Sequence, residues 1–418
     1  MKTKSSLIQK LLVLYVIVWT IAPPLQLDMV FRIAALGAVV LWFILNIPYD
    51  VHFEKIHILS IVFVLLVVLV TLIETKGNFG DVLKPINMYL LVIAFLMAYS
   101  YKDRWNELSD LIPIVLLLLI YFNYQTYVTV VDDPAIARLI VRNDPSIYSY
   151  MRSGVGGYGL LYSQVCILPV IIVWIMGALR KSRIKFAIGV VWLITFTLYL
   201  LNSGYTIALV VSVVGLIILF LYRRSSIVMA IVVTSIIIVA MVWLIGYNDG
   251  FRNALLEFFD GTTVAKKIND IYLSITTTEA ADSILVRIEA YMHSITAILN
   301  FPIIGGLWMG SGGGHSAILD TIAKYGIFGG YIYCKIIFDF SMTIKKNPMT
   351  GKDVRLANSI FISFLLVLLL DSMPYNFVMM LIFMVPMCYN DILKWRNVDE
   401  NSLDSQPDTI RSLAKVKY

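Results

Sequence analysis

The sequence predicts an all-α polytopic membrane protein with about twelve transmembrane helices. Of its 418 residues, 59% are hydrophobic and only 14% are charged, and the mean hydropathy is +0.83. A soluble domain carries about 25% charged residues, so this composition excludes a soluble two-domain enzyme, a disordered chain and a fibrous repeat. The apolar residues fall into stretches long enough to cross a bilayer, and the basic residues collect in alternate connecting segments.

The apolar stretches set the number of spans, because a transmembrane helix needs roughly 20 mostly apolar residues. They centre on residues 11–25, 29–47, 58–73, 85–101, 111–131, 158–179, 186–201, 205–221, 227–245, 324–342, 356–371 and 376–393. Only Asn202, Ser203 and Gly204 separate the seventh stretch from the eighth, which predicts a tight hairpin. The first stretch lacks a small-x-small cleavage pattern and is followed at once by another span, so we expect it to be retained.

The basic residues orient these spans through the positive-inside rule. With the amino terminus in the cytosol, the cytosolic segments contain 21 of the 33 Lys and Arg residues. These segments are 1–10, 48–57, 102–110, 180–185, 222–226, 343–355 and 394–418. The short outer loops contain only Lys76 and Lys84. We therefore expect one membrane domain over residues 1–393, with both termini and a tail over 394–418 in the cytosol. The pI of about 9.0 then reflects topology, and no nucleic-acid partner is expected.

Two outer segments are longer than simple connections, 132–157 and 246–323, and loops of this length usually carry function. Residues 283–299 of the second segment have helical periodicity. One stripe of this segment is apolar and comprises Ile284, Ile288, Met292, Ile295 and Leu299, and a second face carries Arg287, Tyr291 and Ser294. This pattern predicts an amphipathic helix on the outer membrane surface, followed by a Gly-rich turn over 305–315.

Ionisable residues inside the spans are rare. Lys335 and Asp339 lie four residues apart in the tenth span, so the pattern favours a structural ion pair over a proton pathway. The three cysteines, Cys166, Cys334 and Cys388, are isolated in apolar stretches, which predicts neither disulfides nor a zinc site.

The richest local pattern surrounds His315. This residue follows a run of glycines and precedes Ser316, and Gly326 and Gly329 come after nine further residues. Glycines allow the backbone to approach a bulky ligand closely, and an imidazole can act as a general base near neutral pH. The spacing His-Ser-x9-Gly-x-x-Gly resembles the signature of bacterial O-antigen ligases and related polysaccharide polymerases.

Other segments extend this resemblance. An arginine in the upstream amphipathic helix is typical of the family, and Arg287 in DSILVRIEAY (282–291) is similar to it. FPIIGG (301–306) and RSGVGGYG (152–159) also resemble family elements. The hairpin at 200–211 departs from the pattern, because the usual arginine after the serine is absent.

The resemblance implies a membrane glycosyltransferase of the bacterial cytoplasmic (inner) membrane. Its donor would be an oligosaccharide repeat unit on undecaprenyl diphosphate, and its product would be O-antigen, capsular polysaccharide or exopolysaccharide. The partners implied are this lipid-linked oligosaccharide, membrane lipids and a chain-length regulator protein. No metal and no cofactor are expected.

The resemblance also implies roles for individual residues. His315 would act as the catalytic base, with Arg287 as the catalytic arginine. The leaving diphosphate needs guanidinium donors, which Arg152, Arg138 and Arg142 would supply. Arg138 and Gly154 also fit an Arg-x15-Gly spacing found in some polymerases.

Two alternatives remain at the level of sequence. An O-antigen ligase would use the same chemistry but transfer the glycan to a lipid core, and the missing arginine at 200–211 favours the polymerase. A transporter or lipid-oligosaccharide flippase belongs to a different class. It predicts an internal repeat and a charged central cavity, and neither is evident in the sequence.

Overall fold

Most of the residues that the structure describes are helical. The computed structural model describes residues 7–46, 55–77, 97, 105–133, 136, 139, 145–221, 227–276, 282–306, 313–346, 354–370, 383–392 and 395. These ranges contain α-helices, short 3-10 helices and turns, and no strand is present in them.

Most of the first helices overlap the predicted apolar stretches, whereas two short helices, Pro23–Leu27 and Tyr148–Arg152, lie in predicted loops. The first helices are α1 (Leu7–Ile21), α2 (Pro23–Leu27), α3 (Met29–Asn46), α4 (Lys55–Glu74), α5 (Ile112–Asp132), α6 (Tyr148–Arg152), α7 (Tyr158–Lys181) and α8 (Arg183–Asn202). The remaining helices are α9 (Thr206–Leu221), α10 (Ile227–Tyr247), α11 (Asp249–Phe258), α12 (Thr263–Thr276), α13 (Asp282–Asn300), α14 (Ala317–Lys346), α15 (Val354–Leu370) and α16 (383–392).

Several of these helices are long and apolar enough to cross a bilayer. Three pass on length and composition alone, namely Ser109–Asp132, Tyr158–Lys181 and Arg183–Asn202, and the bent pair Val232–Tyr247 and Asp249–Phe258 passes together. Five shorter apolar helices accompany them in the described ranges. The prediction of a helical membrane protein is supported, whereas the count of twelve stays a prediction. The stretch 85–101 lies outside the described residues except for Met97.

Helix α7 forms the centre of the bundle, where it packs against α8, α9 and α15. A buried polar network joins it to two neighbours. The Asn123 and Gln164 amides exchange hydrogen bonds of 2.8 and 2.7 Å, and the Trp192 indole N–H donates to Gln164 Oε1 at 2.9 Å. Because buried polar groups must find partners in an apolar environment, this network fixes the register of α5, α7 and α8.

The predicted turn at 202–204 and the predicted Lys335–Asp339 ion pair are both present. Helix α8 ends at Asn202 and α9 begins at Thr206, with Gly204 in the left-handed conformation at φ 70°. Lys335 Nζ is bonded to Asp339 Oδ1, as their spacing predicted. The three cysteines are free thiols, and Cys166 and Cys388 are buried.

The predicted amphipathic helix is α13, and its two faces differ as expected. Ile288, Met292 and Leu299 are exposed, whereas Ser294 is completely buried and Arg287 is half-buried. Helix α13 packs against α14 through this second face. The exposed apolar stripe is suited to contact lipid, and the buried face carries the groups that build the candidate site.

Candidate functional site

The candidate site forms between the end of α13 and the start of α14. Residues 307–312 of the predicted Gly-rich turn lie outside the described residues. Two backbone hydrogen bonds hold the FPIIGG turn (301–306) next to Gly326, where the helical conformation of α14 is interrupted. The Ile327 N–H donates to Pro302 O at 2.8 Å, and the Gly306 N–H donates to Ala323 O at 2.7 Å. The end of α13 is therefore bound to the amino-terminal part of α14.

Gly326 is the residue that permits this arrangement. Its φ of 71° and ψ of 177° interrupt α14, and a Cβ atom at this position would collide with the carbonyl oxygen of Ile303. A residue other than glycine would meet both the left-handed backbone strain and this collision. Gly329 has a different role, because its lack of a side chain lets α14 approach Leu66 on α4.

Asp320 organises the turn that carries His315. One carboxylate oxygen, Oδ2, accepts hydrogen bonds from the Gly314 N–H at 2.8 Å and the Ser316 N–H at 3.2 Å. The other, Oδ1, accepts a 2.6 Å hydrogen bond from Ser294 Oγ on α13. His315 lies between the two backbone donors, so the carboxylate fixes its backbone position relative to α13.

Ser316 joins this turn to a third helix. Its hydroxyl accepts a hydrogen bond from the Leu319 N–H at 3.3 Å and donates to Leu368 O of α15 at 3.4 Å. The first of these contacts satisfies a backbone N–H at the amino end of α14, as Ser commonly does at helix starts. The serine of the His-Ser motif is thus a structural link between α14 and α15.

Arg287 reaches the same place from α13. Its Nη1 donates to Leu370 O at the end of α15 over 3.3 Å. A guanidinium has five N–H donors, and this is the only hydrogen bond that it makes to the described part of the chain. Within the described residues, its remaining donors are unused and could bind an anionic ligand.

His315 is half-buried, and its surroundings hold it neutral. Partial burial and the positive charge of Arg287 lower the pKa of the imidazole below its ordinary value, and the Asp320 carboxylate opposes this shift. A neutral imidazole at physiological pH can accept a proton. Arg287 and Asp320 are thus close enough to His315 to act on its charge, and the catalytic roles of His315 and Arg287 stay predictions.

The other predicted arginines are placed differently or not described. Arg152 is the exposed last residue of α6, which packs against α2. The segment that follows it is anchored to the bundle, because the Gly156 N–H donates to Thr126 Oγ1 at 2.8 Å. Arg138 and Arg142 lie outside the described residues, so their roles stay predictions.

Sequence reasoning missed Asp320 and Ser294. A signal for Asp320 was present, because an acidic residue in the first turn of a helix often binds nearby backbone N–H groups. Ser294 was recognised only as part of a polar face. Its partner could not be inferred, because the contact spans 26 residues.

Neither a protein-family model nor a curated protein matches this chain. The described residues also contain no group of three or more His, Cys, Asp and Glu side chains arranged to hold a metal ion. The resemblance to O-antigen ligases and polymerases therefore depends on the sequence motifs alone.

Proposed function

We propose that this protein is a membrane glycosyltransferase that polymerises undecaprenyl-diphosphate-linked oligosaccharide repeat units on the outer face of the bacterial cytoplasmic membrane. One observation carries the proposal: the His315 imidazole and the Arg287 guanidinium, most of whose donors are unused by the described residues, lie together at one end of the helix bundle. The first group suits proton abstraction from a hydroxyl, and the second suits a departing diphosphate.

His315 and Arg287 each have one role in the proposed reaction. His315 removes the proton from the acceptor hydroxyl as the hydroxyl oxygen forms a bond to the anomeric carbon of the donor sugar. The bond between this carbon and the diphosphate oxygen breaks, and the diphosphate leaves with the electron pair. Arg287 stabilises the negative charge that develops on the leaving oxygen. Attack opposite the leaving group inverts the anomeric configuration.

Asp320 positions the base without contacting the reacting atoms. Its two backbone hydrogen bonds hold the residues on either side of His315, and its negative charge favours the imidazolium that forms during the reaction. The Ser294 contact keeps the turn at a constant distance from the helix that carries Arg287.

The exposed position of Arg152 supports a role in holding the donor. It lies in the outer segment 132–157 together with Arg138 and Arg142, so these residues are proposed to bind the diphosphate as it approaches. A guanidinium binds phosphate in a bidentate manner. Because no metal is proposed, these arginines would replace the charge that a divalent ion supplies elsewhere.

The surface glycans of the source bacterium test the proposal. We expect a deletion strain complemented with His315→Ala or Arg287→Ala to make single repeat units but no long chains. His293→Ala is a matched control, because His293 is an exposed histidine on α13. Full-length polymer in both site mutants, at wild-type protein level, would contradict the catalytic assignment.

The same experiment separates the polymerase from the ligase alternative. Loss of a polymerase leaves single repeat units attached to the lipid core, whereas loss of a ligase leaves no unit attached. Co-expression of a chain-length regulator protein tests the proposed partner. It should change the length distribution of the polymer and leave the glycosidic linkage unchanged.

A further inference from the structure

A second concave site lies at the opposite end of the bundle. A cavity of about 360 Å³ opens between the ends of α7, α9, α15 and α16. Arg355 lines it at the start of α15, whereas Leu370, the partner of Arg287, lies at the other end of the same helix. Fifteen residues at 1.5 Å each separate the two sites by about 22 Å.

The lining of this cavity carries three positive charges. Arg180 and Lys181 come from the last turn of α7, and Arg355 comes from the first turn of α15. All three residues are exposed, and no acidic residue of the described ranges lines the cavity. The amino end of α15 adds a favourable dipole for an anion. The cavity is therefore built for negative charge.

Lys185 lies near the cavity but does not add to its positive charge. Lys185 Nζ forms a 2.7 Å ion pair with Asp391 Oδ2, and the Trp174 indole N–H donates to the same oxygen at 3.0 Å. Asp391 is therefore occupied by Lys185 and Trp174. Arg180 and Arg355 form no ion pair with any described carboxylate, so within the described part of the chain their charge is not neutralised.

The remaining wall of the cavity is apolar. Met176 and Phe220 line it and are more than half exposed. Gly177 allows the Trp395 ring to lie directly on α7, because a Cβ there would come within 2.5 Å of the ring. Tryptophan commonly marks the boundary between the hydrocarbon and headgroup regions of a membrane. The apolar wall and the basic residues of the cavity therefore lie near the boundary between the hydrocarbon and headgroup regions, which is the depth of the phosphate group of a lipid.

We propose that this cavity binds an anionic glycerophospholipid, with the phosphate between Arg180 and Arg355 and an acyl chain along Met176 and Phe220. Charge complementarity and the apolar wall favour this occupant, because basic pockets between transmembrane helices bind anionic headgroups. The positive-inside orientation places the cavity at the cytosolic leaflet. The site is independent of the proposed glycosyl transfer.

Native mass spectrometry of the full-length protein tests this assignment. The delipidated protein is titrated with phosphatidylglycerol, and the apparent Kd of the first bound lipid is measured. Separate titrations use phosphatidylcholine and inorganic phosphate. We expect R180A/R355A to weaken phosphatidylglycerol binding by about 30-fold, on the basis of about 1 kcal/mol for each basic side chain. Arg183→Ala, an exposed arginine outside the cavity, should leave the Kd unchanged.

Three results would overturn the proposal. The first is an equal phosphatidylglycerol affinity in the wild type and R180A/R355A. The second is equal binding of phosphatidylcholine and phosphatidylglycerol by the wild type. The third is displacement of the lipid by millimolar inorganic phosphate, which would assign the site to a free anion. The variant R180Q/R355Q keeps the side chains long and should lose affinity to the same extent, so a packing defect cannot account for the loss.

Discussion

The Ser294 hydroxyl donates a 2.6 Å hydrogen bond to Asp320 Oδ1 and so joins the helix that carries Arg287 to the helix that follows His315. The second oxygen of the same carboxylate holds the backbone on both sides of the imidazole. Hydrogen bonds to a charged group contribute about 1.5–3 kcal/mol each. This one carboxylate therefore sets the geometry between the proposed base and the proposed diphosphate ligand.

Asp320→Asn should move the acidic limb of the pH–rate profile to lower pH. The carboxylate raises the pKa of His315 against the effects of burial and Arg287. Removing its charge therefore lowers this pKa, and the neutral base persists to lower pH. The measurement is kcat/KM for chain extension against pH, with Asp260→Asn as an exposed control. An unchanged limb in Asp320→Asn would show that His315 is not the titrating base.

Arg287→Gln should move the same limb in the opposite direction. Arg287 lowers the pKa of His315, so its loss raises this pKa and the base becomes protonated at higher pH. We also expect kcat to fall by about 100-fold, as for the loss of one donor to a developing anion. A shift of both variants in the same direction would contradict the electrostatic assignment.

Gly326→Ala should destabilise the site far more than Gly261→Ala. Both glycines have positive φ, at 71° and 73°, but only Gly326 faces a backbone carbonyl, whereas the space around Gly261 is open. A positive φ strains alanine in both variants, and Gly326 also has a ψ of 177°, a combination that is essentially restricted to glycine. The collision with Ile303 adds to the strain only at Gly326. Thermal unfolding in detergent and chain-extension activity measure the difference. Equal melting temperatures would show that the break in α14 is not tightly constrained.

Gln164→Leu should lower the thermal stability of the bundle without altering the pH profile. The substitution leaves the Asn123 amide and the Trp192 indole N–H without their buried partner. Interhelical hydrogen bonds in membranes contribute about 0.6–2 kcal/mol. The double variant N123L/Q164L should recover part of the loss, because it removes both members of the amide pair. A double variant with additive losses would indicate that the two amides do not interact.

The sequence predicted much of this architecture because its signals are local. Twenty-residue apolar stretches locate spans, and the stripe of Ile288, Met292 and Leu299 predicts the amphipathic α13. The pairing of Lys335 with Asp339 also follows from their four-residue spacing. Each of these features depends on periodicity within one helix.

The features that escaped prediction depend on contacts between distant segments. Nothing local to Gly326 indicates that the carbonyl of Ile303 will approach it. Likewise, the Leu370 carbonyl that orients Arg287 lies 83 residues further along the chain. The sequence spacing therefore identifies Gly326, but the reason why glycine is needed there lies in the packing of the segment after α13 against α14.

The most direct test of the central claim uses purified protein in lipid vesicles. A defined undecaprenyl-diphosphate oligosaccharide is supplied with a chelator and without added metal, and products are separated by size. We expect a ladder of extended chains from the wild type and from His293→Ala, and at least about a 100-fold slower extension by His315→Ala. Extension at the wild-type rate by His315→Ala would contradict this expectation.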